Sequence, residues 1–215
     1  MESQGLAMTI TLWQGDCLEY MKSMPNGSVD LIFTSPPFKD KDVEEEYWIV
    51  YEKWMKEINR ISKVAIIINS ATRLNTIIQR WPPKRTMIWG KGISKYSWRW
   101  NPIFIYENGE YKINKVIWSD CFGVSSIYGG NKSHKYQDPE LLYFTIIKMF
   151  SGLQNVFDPF MGSGTTGLAC LQLGKDFIGC EINPDYFIVA KNNIEQMQLF
   201  TSSSEKVEEK QVDLL

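Results

Sequence analysis

The stretch from Asp158 to Glu181, DPFMGSGTTGLACLQLGKDFIGCE, constrains the fold of this chain most strongly. A short apolar run ends at Asp158, a glycine-rich turn follows, and an Ala/Leu-rich run leads to a second apolar run that ends at Glu181. This order predicts a strand, a tight turn, a helix and a strand, which is a βαβ unit. Glycines let a ligand approach the backbone, and amides at a helix start attract anionic groups. The segment therefore predicts a pocket for a cofactor that carries a nucleoside.

The glycine spacing leaves two kinds of cofactor open. Gly162, Gly164 and Gly167 satisfy the G-x-G-x-x-G fingerprint of dinucleotide-binding proteins, and Glu181 follows as an acid suited to a ribose. An NAD-type oxidoreductase is therefore one interpretation. A carboxylate beside the glycines, Asp158, instead suits a ligand with an ammonium group, such as the methionine end of S-adenosylmethionine.

Length and composition predict one globular domain. With 215 residues in the chain, we place that domain at 1–200 and expect an acidic, disordered tail at 201–215. No apolar run approaches the roughly 20 residues of a membrane span, and the first residues do not resemble a secretion signal. Because the chain has one histidine and no C-x-x-C pair, we expect no metal site.

The net charge of −2 conceals an uneven distribution of charge. Residues 80–135 carry ten basic and three acidic side chains, whereas both flanking segments are acidic. Such a local concentration is what binding to a phosphate backbone requires, although a solvated surface would also account for it. We predict that the basic insert at 84–135 contributes to nucleic-acid recognition through Lys84, Arg85, Lys91, Lys95, Arg99 and Lys132.

Periodicity predicts the remaining elements. Strands are expected at 9–14, 29–33, 63–69, 86–89, 102–107 and 115–118, and helices at 17–23, 44–62, 73–79, 138–150 and 184–196. The aromatic residues of the helix at 44–62 recur at helical spacing, which favours a packed core over a ligand platform. The strand at 29–33 runs into Thr34-Ser35-Pro36-Pro37-Phe38, where two prolines predict a stiff loop at the edge of the sheet.

Two motifs, taken together, resemble those of the amino-methyltransferases of DNA. Thr34-Ser35-Pro36-Pro37-Phe38 is similar to the [D/N/S]-P-P-[Y/F] loop that does the chemistry in that family. Asp158-Pro159-Phe160-Met161-Gly162-Ser163-Gly164-Thr165-Thr166 is similar to the turn that holds S-adenosylmethionine. The catalytic loop comes first, as in the circularly permuted β-class order. Further similarity covers 15–17, 179–186 and, more weakly, 134–139, where Asp138 replaces a usual lysine.

The resemblance implies a Rossmann-like α/β fold with a mostly parallel sheet, helices on both faces, and S-adenosylmethionine as the cofactor. It implies catalytic roles for Ser35, Pro36, Pro37 and Phe38. It also implies that the cofactor is bound by Asp16, Cys17, Thr34, Asp158, Phe160, Gly162, Ser163, Gly164, Thr165, Glu181 and Ile182. In this assignment Glu181 binds the ribose and Asp16 binds the adenine, although Asp16 is also suited to capping the helix at 17–23.

The activity implied is methylation of an exocyclic amine on a flipped-out base within a short DNA sequence. Serine before the two prolines and phenylalanine after them favour cytosine N4, with adenine N6 as the alternative. A catalytically inactive DNA-binding protein stays open beside the oxidoreductase. We expect the loop at 39–46 and the insert at 84–135 to recognise double-stranded DNA. A restriction endonuclease and a second copy of the chain are candidate partners, in the cytoplasm of a bacterial, archaeal or phage-infected cell.

Overall fold

The computed structural model describes residues 8–37, 45–91, 100–111, 119–123 and 139–200, together with the backbone of a helix that continues to residue 212. Part of the sequence-based prediction lies outside these residues, namely Phe38, most of the 39–46 loop, Lys95, Arg99, the strand at 115–118, Lys132 and the segment 134–138. The roles predicted for these residues therefore stay predictions.

Strands and helices alternate along most of the described chain. Their order is β1 Ile10–Gln14, α1 Cys17–Ser23, β2 Val29–Thr34, α2 Glu45–Ile61, β3 Ser62–Ile68, a short 3-10 helix Ala71–Arg73, α3 Leu74–Arg80, β4 Arg85–Gly90, β5 Trp100–Glu107, β6 Cys121–Phe122, α4 Glu140–Met149, β7 Asn155–Asp158, α5 Thr165–Gln172, β8 Asp176–Glu181 and α6 Pro184–Val212. Most predicted boundaries lie within two residues of these. The strand β6 was not predicted because two residues are too few to show a period.

The last helix differs from its prediction. Helix α6 continues to Val212, whereas the sequence predicts an end near residue 196 and a disordered tail from residue 201. Residues 185–212 contain neither glycine nor proline, and the Glu, Lys and Gln of the tail are strong helix formers. A polar composition limits burial but does not end a helix, so α6 is longer than predicted, and the expectation of a disordered tail at 201–215 stays a prediction. Neither α6 nor any other helix in the described residues is long and apolar enough to cross a membrane.

The sheet has the strand order β1-β8-β7-β2-β3-β5-β4-β6. The first five strands in this order, β1, β8, β7, β2 and β3, run parallel to one another, and β5 runs antiparallel to β3 and β4. Successive side chains of β2 enter separate cores: Phe33 lies in the core that contains residues of α4, α5 and α6, and Ile32 lies in the core that contains residues of α1, α2 and α3. The predicted mostly parallel sheet with helices on both faces is confirmed.

The neighbouring strands β7 and β2 form the switch point of this sheet. The chain leaves β7 through α5 to reach β8 on one side, and it leaves β2 through α2 to reach β3 on the other side. Because these connections diverge on opposite faces, a crevice is left beyond the carboxyl ends of the two strands, which is where open α/β sheets bind ligands. The two motifs singled out in the sequence directly follow β7 and β2.

A buried carboxylate joins the ends of these two strands. The side chain of Asp158 is 2% exposed and accepts hydrogen bonds from the Thr34 hydroxyl at 2.6 Å, from the Phe160 amide at 3.0 Å and from the Thr166 hydroxyl. Burial raises the pKa of Asp158 to about 6, and the three donors act in the opposite direction. The end of β2, the turn after β7 and the start of α5 are therefore held by one side chain.

We expect Asp158→Asn to remove part of the pH dependence of stability. The pKa of Asp158 rises from 3.8 to about 6 on folding, so the folded protein binds this proton more tightly than the unfolded chain does. The contribution of this carboxyl to stability is fully present below its unfolded pKa and is lost as the pH rises through its folded pKa. Between about pH 4 and about pH 7 the loss should be on the order of 3 kcal/mol.

Urea denaturation of both proteins across this pH window measures the effect. The Asn variant should have a flatter dependence of unfolding free energy on pH than the wild type. Asp185→Asn, an exposed carboxyl in the first turn of α6, is the control for the change in net charge. A difference between wild type and Asp158→Asn that is constant across the window would contradict the prediction.

Candidate functional site

Four parallel strands end at the same edge of the sheet, and a predicted site residue lies at each end. Asp16 follows β1, Glu181 ends β8, Asp158 ends β7 and Ser35 follows β2. These residues are far apart in the chain, but their strands are consecutive neighbours in the sheet. The fold therefore gathers the predicted cofactor and catalytic residues along one crevice.

The turn after β7 presents an open stretch of backbone beside a buried acid. Gly162 has a φ of 52°, and its amide donates a hydrogen bond to Glu181 Oε2 at 3.0 Å. The other carboxylate oxygen of Glu181 accepts the Asn183 amide at 2.8 Å. A Cβ atom added at Gly162 would meet no atom within 4 Å, so a ligand has room to contact the backbone here. Open backbone next to a hydrogen-bond acceptor fits a nucleoside-bearing cofactor.

The other two glycines of the fingerprint contact protein. A Cβ at Gly164 would lie 3.2 Å from Ala190 of α6, and one at Gly167 would lie 2.7 Å from Ile194 Cδ1. The space that a Cβ would occupy is therefore open at Gly162 and filled by α6 at Gly164, and the predicted approach of a ligand to the backbone of Gly164 stays a prediction. Glycine is favoured at position 164 because its φ of 86° would strain any other residue and because a side chain would be tightly packed against α6. Of the other predicted turn residues, Ser163 and Thr165 are buried.

The residues after β1 and β8 flank this turn. Asp16 caps α1, since its carboxylate accepts the Leu18 amide at 2.9 Å, which confirms the capping role considered for it. Cys17 is buried, and burial raises the pKa of its thiol well above the ordinary value. Ile182 is 69% exposed directly after Glu181. The predicted contacts of these residues with a cofactor stay predictions.

The loop after β2 presents hydrogen-bond acceptors. Ser35 is half-buried, Pro36 is buried and Pro37 is exposed. Because proline has no N–H, the main chain at Pro36 and Pro37 offers only carbonyl oxygens. The Pro37 carbonyl already accepts a hydrogen bond from the Tyr47 hydroxyl at 3.2 Å. The loop is therefore suited to a ligand that brings N–H donors.

Helix α2 supplies contacts to both motifs that the sequence analysis did not assign. Tyr47 reaches the loop at Pro37, and Trp54 packs edge-on against Phe160 of the turn, with ring centroids 4.7 Å apart. Helical spacing correctly places these side chains on one face with Tyr51, which is in the core. The spacing cannot indicate what the face contacts, because the loop and the turn come from distant parts of the chain.

The fold separates the described members of the predicted DNA-binding set. Strands β3 and β4 both run antiparallel to β5, so β4 ends at the edge of the sheet where Ser35 lies. Lys91 follows that end, with its Nζ 4.8 Å from the centre of the Trp89 ring. Lys84 and Arg85 lie at the other end of β4, roughly 17–20 Å away for a strand of this length. Only Lys91 of these three lies at the edge that carries the site.

A family model described as DNA methylase, named N6_N4_Mtase, matches residues 79–192, which is just over half of the 215-residue chain. Among curated proteins, the chain is similar to the type II methyltransferase M.HinfI of Haemophilus influenzae, with 28% identity over 247 residues that cover 87% of this chain and 69% of M.HinfI. It is also similar to the type II methyltransferase M.ScaI of Streptomyces caespitosus, with 26% identity over 86% of this chain and 81% of M.ScaI.

Solved structures of methyltransferases have the same fold. The cytosine-N4-specific PvuII DNA methyltransferase superimposes with a TM-score of 0.71 at 18% identity, covering 91% of this chain and 94% of that protein. M1.HpyAVI in complex with S-adenosylmethionine superimposes with a TM-score of 0.69 at 25% identity, covering 86% and 98%. The oxidoreductase interpretation of the glycine fingerprint is wrong. The chain belongs to the DNA methylase family of N6 and N4 amino-methyltransferases, which use S-adenosylmethionine.

Proposed function

We propose that this protein methylates the exocyclic N4 amine of cytosine within a short sequence of double-stranded DNA. The observation that carries the proposal is the position of the Ser35-Pro36-Pro37 loop beside the turn after β7, to which Thr34 and Asp158 join it. A loop of hydrogen-bond acceptors and a turn suited to a cofactor thus border one crevice. Such an arrangement supports transfer between two ligands held side by side.

The acceptors of the loop are suited to activating an amine. The nitrogen of an exocyclic amine is a poor nucleophile because its lone pair is delocalised into the ring. If the Ser35 hydroxyl and the Pro36 carbonyl each accept a hydrogen bond from the amine, the nitrogen is drawn towards tetrahedral geometry. Its lone pair then points away from the loop. Since Pro36 and Pro37 lack N–H groups, no main-chain donor at these positions competes for the two acceptors. Ser35 therefore acts by orientation and hydrogen bonding.

The turn and its neighbours are assigned to the cofactor. When bound, S-adenosylmethionine supplies an electrophilic methyl group on its sulfonium. We assign the ribose to Glu181. Its carboxylate oxygens accept hydrogen bonds from two backbone amides and still have lone pairs for the ribose hydroxyls. We assign the adenine to the neighbourhood of Asp16 and Ile182, and the methionine part to the open backbone at Gly162. Asp158 then holds the turn in place from its buried side.

The choice of cytosine depends on Ser35. In the amino-methyltransferases, serine before the two prolines with phenylalanine after them is more typical of members that form N4-methylcytosine. Because an exocyclic amine is paired inside a duplex, the target base must leave the duplex to reach Ser35, as in other enzymes that do chemistry on a base. The names of M.HinfI and M.ScaI as type II methyltransferases support a restriction–modification setting. A partner endonuclease and a homodimer stay predictions.

The proposal is tested by transfer of a tritiated methyl group to unmethylated bacterial DNA, followed by nucleoside analysis of the digested product. We expect label in N4-methylcytosine. Label in N6-methyladenine would agree with the mechanism proposed for the loop but would identify adenine, and not cytosine, as the target base. If the protein binds S-adenosylmethionine and duplex DNA but transfers no label, the inactive DNA-binding alternative is correct.

In the same assay, Ser35→Ala should lower kcat by about 100-fold or more, because it removes one of the two acceptors that orient the amine. The dissociation constant of S-adenosylmethionine, measured by calorimetry, should change little, since Ser35 lies in the loop and not in the turn. Ser28→Ala, just before the start of β2, is the matched control and should retain wild-type kcat. If Ser35→Ala loses cofactor binding together with activity, the loop has a structural role instead.

Lys91 and Lys84 form a matched pair for testing where DNA binds. Lys91→Ala should weaken binding of duplex DNA and reduce the slope of log affinity against log salt by about 1, as expected for the loss of one phosphate contact. Lys84→Ala removes the same charge at the opposite edge of the sheet and should leave the slope unchanged. Titration of a fluorescent duplex at several salt concentrations measures both. Equal effects of the two substitutions would show that the site edge has no special role in DNA binding.

A further inference from the structure

The catalytic loop is held on both sides of Ser35 and Pro36. On one side, the Thr34 hydroxyl donates a hydrogen bond to Asp158 at 2.6 Å. On the other side, the Pro37 carbonyl accepts a hydrogen bond from the Tyr47 hydroxyl at 3.2 Å. The two residues to which we assign the target amine therefore lie between two anchors. The first anchor belongs to the cofactor turn, whereas the second belongs to α2.

Arg73 determines the direction of the Tyr47 hydrogen bond. The Arg73 Nη1 atom lies 2.6 Å from the Tyr47 hydroxyl oxygen, and a guanidinium can only donate. The hydroxyl oxygen must therefore accept from Arg73, which leaves its single hydrogen for the Pro37 carbonyl. Arg73 is 4% exposed, and its guanidinium carbon lies 4.4 Å from the centre of the Tyr47 ring. The result is a polarised series of hydrogen bonds from Arg73 to Tyr47 to the loop.

The position of the Tyr47 hydroxyl is itself well defined. Its ring packs against Trp48, Tyr51 and Trp54 of the same helix, with centroid distances of 5.3, 5.8 and 6.2 Å. Burial raises the pKa of Tyr47 above its ordinary value of 10.0, although Arg73 lowers it, so the hydroxyl keeps its hydrogen at neutral pH. A rigid ring on a long helix thus presents a donor at a fixed point.

The loop needs such a donor from elsewhere in the fold. Pro36 and Pro37 have no N–H groups, so the loop cannot be fixed through amides at these two positions. We propose that Tyr47, oriented by Arg73, is a positioning residue that sets the orientation of the Pro36-Pro37 segment for methyl transfer. This inference rests on the proposed function of the loop. A displacement of about 1 Å in a positioning contact is enough to cost up to about 100-fold in rate.

The test is Tyr47→Phe, which removes the hydroxyl and keeps the ring. We expect kcat for DNA methylation to fall about 10-fold to 100-fold, with the dissociation constant of S-adenosylmethionine and the KM for DNA within about twofold of wild type. A residue that only stabilised the fold would not lower kcat while leaving the dissociation constant of S-adenosylmethionine and the KM for DNA unchanged. An unchanged kcat would overturn the proposal.

Tyr51→Phe is the matched control. Tyr51 lies one turn further along α2, is 1% exposed, and its hydroxyl accepts from Asn69 Nδ2 at 3.2 Å. This substitution also removes a hydroxyl and a hydrogen bond from the same aromatic cluster, and it leaves the bond to Pro37 in place. We expect wild-type kcat for Tyr51→Phe. A loss of kcat equal to that of Tyr47→Phe would assign the effect to the packing of α2 and overturn the proposal.

Hydrogen–deuterium exchange separates a failure of this inference from a failure of the proposed function. The peptide that contains Ser35 should exchange faster in Tyr47→Phe than in wild type or Tyr51→Phe, because one anchor of the loop is lost. This readout does not require activity. If wild type transfers no methyl group, the proposed function is wrong, and faster exchange still supports the anchor. If Ser35→Ala abolishes activity while exchange and kcat of Tyr47→Phe are unchanged, the proposed function stands and the positioning role is wrong.

Discussion

One buried carboxylate holds the loop after β2 and the turn after β7 against each other. Asp158 receives hydrogen bonds from Thr34 at the end of β2, from Phe160 in the turn and from Thr166 at the start of α5. Removing a carboxylate from water is costly, and the raised pKa of Asp158 means that the three donors do not offset this cost completely. The desolvation cost that remains arises at the contact that keeps the loop after β2 and the turn after β7 at a fixed distance from each other.

The strand order explains why this contact can exist. Strands β7 and β2 are distant in the chain but adjacent in the sheet, and their connections diverge to opposite faces. The crevice that results is bordered by the Ser35 loop and the Gly162 turn, so the order in which the two motifs occur along the chain does not matter. A circularly permuted arrangement therefore builds the same site as long as the same strands are neighbours.

Helix α2 gives the site a second support. Tyr47 contacts the loop and Trp54 contacts the turn, while other side chains of the same helix fill the core beneath. The apolar side chains that stabilise the helix thus also fix the position of a polar group at its edge. The two supports are held in different ways. Tyr47 is held by ring packing and by Arg73, whereas Asp158 is held by hydrogen bonds from two hydroxyls and an amide.

The local elements and the two motifs could be predicted from the sequence. Period and turn residues predict β2, α2, β7, α5 and β8 because these signals depend on residues a few positions apart. Only the tertiary structure decided which elements meet: that Gly162 is open while Gly164 and Gly167 contact protein, that Tyr47 reaches Pro37, and that the Lys91 end of β4, and not the Lys84 end, lies at the edge of the sheet that carries Ser35. The physical reason is that strand neighbours and helix contacts are chosen by burial across the whole chain, which no short window of sequence records.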